Sequence, residues 1–203
     1  DQWLVYAYCI GSCSTLFVSV NYHTFCCISR NMHDCLLQWD IAGIGVSIAC
    51  NMLQLVYYGF YCQPTARLVY QVAAGVLCAL SAGLAYLGTH PEYGLQVRTY
   101  GLSGMAVLLF IPAIHLWALN NAHFELLRAP LFRFLNIFGI YGVGILFYYT
   151  RFPESHFPRF VARTSLGSHV VWHTLTVIGM LYGMHRGADF SRVIRSTPNV
   201  CAL

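Results

Sequence analysis

Two histidines four residues apart, His169 and His173, lie at the start of an apolar stretch with the sequence SHVVWHTL. In an α-helix this spacing places both imidazoles on the same face, one turn apart. A histidine inside a lipid bilayer is costly unless its ring nitrogens have partners. A metal ion satisfies the imidazole lone pairs where lipid cannot, so a metal site would explain the pair if a third histidine lies at the same depth of the membrane.

A third histidine, His23, lies in the segment SVNYHTFCC near the end of another apolar stretch, and Ser19 precedes it by one helical turn. Asp40 opens the following apolar stretch in QWDIAGI. An even number of crossings separates His23 from the His169 pair, so we expect all of these side chains on one side of the membrane, at one depth. Three neutral imidazoles and a water form the tetrahedral arrangement of catalytic zinc sites, in which the fourth position is open for chemistry.

Each residue also has a simpler explanation when it is taken alone. A single intramembrane histidine is more often a hydrogen-bonded packing residue, and Ser19 alone is more typical of close helix packing. Asp40 alone could be the N-cap of its helix. Histidines on facing helices can also clasp a haem, but three convergent histidines exceed what one haem requires. The coincidence of three histidines with an acid favours a zinc site.

The elements that must position these residues are apolar helices. The chain has 203 residues, of which 58% are hydrophobic and 9% are charged, against roughly a quarter charged in soluble domains. Stretches of about 20 apolar residues cross the hydrocarbon core, and each must be helical because backbone groups in lipid bond internally. We therefore predict an all-α membrane bundle in one domain, residues 1–203. The six predicted transmembrane helices cover approximately 3–28, 40–62, 68–88, 101–119, 131–150 and 167–185.

The links after the first, third and fifth predicted helices define one side of the membrane, here called the odd face, and the other links define the even face. The odd face carries five arginines and the even face six, so the positive-inside rule gives no orientation. The arginines form no basic stripe, which argues against nucleic-acid binding. The odd-face arginines are Arg30, Arg98, Arg151, Arg159 and Arg163, and the even-face arginines are Arg67, Arg128, Arg133, Arg186, Arg192 and Arg195.

The remaining histidines are sorted by the same parity. Those on the even face are too far from the three candidates to be ligands, and those in odd-face links are expected to be solvated. The even-face group is His115, His123 and His185, and the link group is His33, His90 and His156.

Nine cysteines are scattered mostly through the apolar stretches, without a paired CxxC motif. A buried cysteine behaves as a small hydrophobic residue, so we expect most or all of them to pack in this way, rather than to form a disulfide framework or a zinc ribbon. The segment FGIYGVGI brings Gly139, Gly142 and Gly144 together and permits close helix approach. We expect packing within the chain, with homo-oligomer contact as the alternative.

The chain resembles the progestin and adiponectin receptor family, which includes the bacterial hemolysin III-like proteins. The resemblance rests on SVNYHTF with Ser19 and His23, on WDIAGI with Asp40, and on SHVVWH at 168–173. The CQPTARLVY and RFPE elements favour the adiponectin-receptor branch. Together the similar segments cover nearly the whole chain in the family's order. The subsidiary ones are FYCQPTARLVY at 60–70, IPAIH at 111–115 and TRFPESHFP at 150–158.

The resemblance implies a seven-helix fold, in which the six predicted helices would correspond to helices two to seven. A cytoplasmic N-terminal region and an amphipathic segment would precede them, so we expect the chain to be N-terminally incomplete. The resemblance also implies zinc ligands at His23, His169 and His173, near a cytoplasmic odd face. Ser19 and Asp40 match the serine and the aspartate of the family's motif.

The family is similar to alkaline ceramidases, so the resemblance further implies zinc-dependent hydrolysis of a lipid amide. Asp40 would act as general base and then general acid, and Ser19 would stabilise the oxyanion. The alternative is a receptor whose zinc is purely structural. The expected partners are membrane lipids, including ceramide or sphingolipid, and an extracellular hormone-like ligand. The plasma membrane and the endomembranes are both open as locations.

Overall fold

The computed structural model describes residues 2–119, 124–197 and 201. Within these ranges the regular structure is entirely helical, which confirms the prediction of an all-α membrane bundle. Long helices alternate in direction and are joined by short links. The helices are α1 (Gln2–Phe25), α2 (Arg30–Gly59), α3 (Pro64–Leu87), α4 (Gly94–Leu108), α5 (Phe110–Ala118), α6 (Phe124–Thr150), α7 (Pro158–Thr164) and α8 (Ser168–Ser196).

Five helical segments are long and apolar enough to cross a membrane: α1, α2, α3, α4 together with α5, and the Ala129–Thr150 part of α6. The break between α4 and α5 falls at Leu109. Pro112 explains it, because proline has no N–H to donate to the carbonyl of Leu108 and its ring crowds that oxygen. The sixth predicted segment is helical, as α8, but His169 and His173 near its start and the charged residues farther along lower its hydropathy.

Most of the helices begin before the apolar stretches that predicted them, whereas α1, α2 and α3 end earlier than predicted. Helix α2 begins at Arg30 because the Ser29 hydroxyl caps it, accepting the N–H of Met32 at 3.2 Å. Asp40 therefore lies inside α2, and its alternative role as an N-cap is wrong. His33 also lies in this helix, so its assignment to a link is wrong.

Helix α8 likewise continues well past residue 185, to Ser196. Ion pairs support this extension, because Asp189 accepts from Arg186 at 3.2 Å and from Arg192 at 2.6 Å. Short helix α7 lies within a segment that the sequence assigned to a link. Hydropathy marks where a helix meets lipid, whereas capping and ion pairs decide where it begins and ends.

Helix α2 lies at the centre of the bundle and contacts α1, α3, α4, α5, α6 and α8. Two of its glycines allow this close approach. A Cβ atom at Gly43 would lie 2.9 Å from Cγ2 of Val18 on α1, and one at Gly45 would collide with the Ser81 side chain on α3. Small residues at helix crossings are the usual means of close packing in membranes. Helix α2 can therefore hold α1 and α3 in fixed positions on its two sides.

The glycines of FGIYGVGI divide between two environments. A Cβ atom at Gly144 would lie 2.9 Å from Cε3 of Trp172 and 3.5 Å from Cβ of Leu175, both on α8. Packing within the chain is therefore confirmed for Gly144. Cβ atoms at Gly139 and Gly142 would meet nothing within 4 Å, so homo-oligomer contact stays a prediction.

The even-face end of the bundle is closed by a covalent link. Cys62, after α2, forms a disulfide with Cys201, beyond α8, and their Cα atoms are 5.2 Å apart. The expectation that the cysteines serve as small hydrophobic residues is therefore wrong for this pair, whereas the other seven are free. Spacing along the chain gave no sign of this bond, because its two cysteines are 139 residues apart.

Arg133 is not the interfacial charge at the even face that the sequence predicted. It lies in α6, with only 2% of its surface exposed, and its guanidinium carbon is 5.6 Å from the centre of the Tyr8 ring. Its Nε and Nη2 atoms have no hydrogen-bond acceptor among the described residues. A cation–π contact is the interaction that offsets part of the cost of burying this charge. Arg133 is therefore uninformative about membrane orientation.

Candidate metal centre

Three imidazoles converge where α1 ends and α8 begins. His23 lies in the last turn of α1, and its Nε2 atom is 3.3 Å from Nε2 of His169. His173, one turn farther along α8, places its Nε2 atom 3.1 Å from the same nitrogen of His169. The structure thus brings together the three histidines that parity placed at one depth, and their role as metal ligands stays a prediction.

The spacing of the nitrogens fits a tetrahedral zinc ion. With Zn–N bonds of about 2.0–2.1 Å, the nitrogens of two ligands in a tetrahedron are about 3.3 Å apart. The two Nε2 separations here are 3.3 and 3.1 Å. A metal ion can accept a lone pair from each of these nitrogens. In the part of the chain that the structure describes, these three histidines are the group of three or more side chains whose ligand atoms lie close enough together to hold a metal ion.

An acid and a hydroxyl group lie beside the imidazoles. Asp40 on α2 neighbours the hydroxyl of Ser19 on α1, and its carboxylate lies near enough to His23 and His169 to interact with both through its charge. Ser19 is buried, whereas His23 and His169 are exposed. The arrangement can therefore bind a metal, transfer a proton and donate a hydrogen bond within one open site.

The other histidines have partners of their own. His115 forms a 3.0 Å hydrogen bond with the Tyr70 hydroxyl at the other end of the bundle, and His185 pairs with Asp189 at 3.6 Å. His33 contacts the Tyr22 hydroxyl at 3.3 Å. His123 lies outside the described residues. The remaining contacts are those of His33 with Asp34, His90 with Tyr93 and His156 with Ser155.

Two tyrosines border the centre, and the sequence did not assign either to it. The ring of Tyr22 is 4.9 Å from that of His23, and the ring of Tyr148 is 5.6 Å from that of His169. Tyr22 precedes a candidate ligand along the chain, which is a weak signal. Tyr148 lies at the end of α6 and reaches His169 because α6 and α8 pack side by side.

The link after α6 folds back onto the start of α8. Glu154 Oε2 accepts the backbone N–H of Ser168 at 2.7 Å, and its Oε1 accepts the Ser168 hydroxyl. These hydrogen bonds hold the pKa of Glu154 below its usual range. A carboxylate at this position caps the helix and complements the positive end of its dipole. The capped residue immediately precedes His169.

Comparison with known proteins supports the resemblance seen in the sequence. The model of the family described as Haemolysin-III related matches residues 1–184. The chain belongs to this family. It is therefore a multi-pass integral membrane protein of the progestin and adiponectin receptor type, as the residues around Ser19, His23, Asp40 and His169 indicated.

Curated relatives of this haemolysin-III related protein include receptors. The chain is 31% identical over 190 residues to "Heptahelical transmembrane protein ADIPOR3" of Oryza sativa subsp. japonica, covering 92% of this chain and 46% of the relative. It is 28% identical over 186 residues to "Adiponectin receptor protein" of Drosophila melanogaster, covering 88% of this chain and 40% of the relative. It is 30% identical over 195 residues to "Progestin and adipoQ receptor family member 3" of Mus musculus, covering 90% of this chain and 58% of the relative. The chain thus spans about half the length of these relatives.

Proposed function

We propose that this haemolysin-III related protein binds zinc through His23, His169 and His173 and hydrolyses a lipid amide, such as ceramide, at that site. The observation that supports this most directly is the convergence of three imidazole nitrogens beside an acid and a hydroxyl group. Zinc, when bound, polarises a carbonyl group and makes hydroxide available near neutral pH.

The chain's own residues supply the proton transfers. Asp40 accepts the proton of the attacking water as the C–O bond forms, and returns it to the nitrogen as the C–N bond breaks. The Ser19 hydroxyl donates a hydrogen bond to the carbonyl oxygen as negative charge develops on it. Asp40 lies near enough to His23 and His169 to interact with both through its charge, and Ser19 neighbours Asp40, so each group is close to where an amide carbonyl would be held.

The exposure of the site suits a substrate that arrives from the bilayer. His23 and His169 are exposed on the bundle, and Tyr148, next to His169, is 48% exposed. A lipid can then keep its chains in the hydrocarbon while its polar amide reaches the site near the interface. This supports membrane lipids as substrates and partners.

The disulfide supports a cytoplasmic position for the metal centre. Disulfides persist on the extracellular or lumenal side of membranes and are rare in the cytosol. Cys62 and Cys201 form theirs at the even face, which favours the oxidising side of the membrane for that face. The histidine end, on the odd face, then lies toward the cytoplasm, in a plasma membrane or an endomembrane.

The hydrolase is tested with zinc-loaded protein in detergent. We expect Asp40→Ala to lower ceramide turnover by about 10²–10⁴-fold, the usual contribution of a general base, without loss of bound zinc. Asp34→Ala, on the same helix, is the matched control, because Asp34 pairs with Arg30 and His33 rather than with the three histidines of the candidate metal centre. Unchanged turnover in Asp40→Ala would refute the assignment.

A receptor with structural zinc is the second candidate, and the receptor names of the relatives favour it. Zinc would then stiffen the contact between α1 and α8, while a hormone-like ligand binds elsewhere on the extracellular side. In this case wild-type protein loaded with zinc releases no fatty acid from ceramide. Substitution His23→Ala lowers thermal stability and the response to ligand together.

A further inference from the structure

The geometry points to Glu154 as a positioning residue of the metal centre, a role that rests on the zinc site proposed above. Glu154 lies in the link between α6 and α7. Both of its carboxylate oxygens are engaged by one residue, Ser168, through the backbone N–H at 2.7 Å and through the hydroxyl. Ser168 is buried and is the first residue of α8. His169 follows it directly.

The start of α8 depends on this contact because the helix has no cap of its own. The N-cap position is Gly167, which has no side chain to accept a hydrogen bond from the first turn. The N–H groups of a first turn lack partners within the helix, and uncapped ends fray. Glu154 supplies both an acceptor and a negative charge at the positive end of the helix dipole. It thereby keeps the first turn of α8 formed.

Among the three histidines, His169 would be displaced most by fraying of the first turn of α8. Its Nε2 atom lies within 3.3 Å of the Nε2 atoms of both His23 and His173, so any displacement of His169 disturbs both spacings. His173 lies one turn farther into α8. Removing the Glu154 cap should therefore weaken metal binding through His169, even though His23 and His173 are unchanged.

Glu154 acts through the helix and is not a metal ligand itself. Its two oxygens are occupied by Ser168, and the candidate metal-binding group among the described residues contains the three histidines without it. Outer partners that orient metal ligands typically contribute 10–100-fold to metal affinity. We expect an effect of that order from a group that holds the helix turn on which His169 lies.

The test measures the zinc affinity of the full purified chain in detergent, by competition with a chromophoric chelator. Glu154→Ala should weaken zinc binding by about 10-fold or more. Glu154→Gln should lose less zinc affinity than Glu154→Ala, because the glutamine amide oxygen still accepts the Ser168 N–H. Ser168→Ala, which removes the hydroxyl contact alone, should also give an intermediate affinity and serves if Glu154→Ala does not fold. Glu92→Ala is the matched control, since it removes an exposed carboxylate from another odd-face link.

Hydrogen exchange of the metal-free proteins separates the possible failures. Glu154→Ala should speed amide exchange in peptides covering residues 167–173, and Glu92→Ala should not. If Glu154→Ala exchanges faster but binds zinc with wild-type affinity, Glu154 is only a structural cap and its positioning role is overturned. Equal zinc affinities of Glu154→Ala and Glu92→Ala would overturn that role as well. Failure of the wild-type chain to bind zinc would instead overturn the metal centre itself.

Discussion

His23 is the only candidate ligand that α1 contributes to the described cluster, so its removal tests whether a metal ties α1 to α8. His169 and His173 lie on one helix, and an ion bound by those two alone would bridge no helices. In His23→Ala we therefore expect zinc to lose its effect on the stability of the bundle, while the helices themselves are retained.

The size of the effect is set by the ratio of free zinc to its dissociation constant. The Nε2 separations of 3.3 and 3.1 Å already match the edge of a zinc tetrahedron, so little of the binding free energy is spent on rearrangement. Free zinc at 100 times its dissociation constant stabilises the folded state by about 2.7 kcal/mol. In a chain of this size each kcal/mol shifts Tm by about 2–4 °C, which gives a rise of about 5–11 °C.

The assay is thermal unfolding in detergent, followed by intrinsic tryptophan fluorescence, with either chelator or zinc present. The wild-type chain should gain the full shift and His23→Ala almost none, at the same free zinc. His115→Ala should keep the full shift, because His115 bonds Tyr70 at the opposite end of the bundle. A zinc-dependent shift of wild-type size in His23→Ala, or its loss in His115→Ala, would refute the reasoning.

Two further predictions concern the scaffold. Gly45→Ala should lower the free energy of unfolding by about 1–3 kcal/mol, because the new Cβ atom collides with Ser81. Gly75→Ala, where a Cβ atom meets nothing within 4 Å, should not lower it. Equal Tm values for the two variants would contradict this packing. Cys62→Ser and Cys201→Ser should each lower Tm as much as reductant lowers that of the wild type. The chain-entropy limit for a separation of 139 residues is about 5 kcal/mol, and a wild-type Tm that ignores reductant would argue against the bond.

Local properties of the sequence determined much of the fold and of the site. Apolar stretches indicated the membrane helices, because hydropathy depends on residues that are adjacent along the chain. The spacing of His169 and His173 fixed their common helical face. An even count of crossings placed His23 at their depth. This inference needs only the number of membrane crossings between two residues, and it does not depend on how the helices pack against one another.

Tertiary structure alone decided which helices are neighbours. Depth does not determine lateral position, so contact of α1 with α8 at the histidines required the folded bundle. The same holds for the bond from Cys62 to Cys201, for the buried Arg133 beside Tyr8, and for the Glu154 cap on Ser168. In each case the local sequence does not indicate which residue is the partner. Side-by-side packing of helices depends on shape complementarity between surfaces that are distant along the chain.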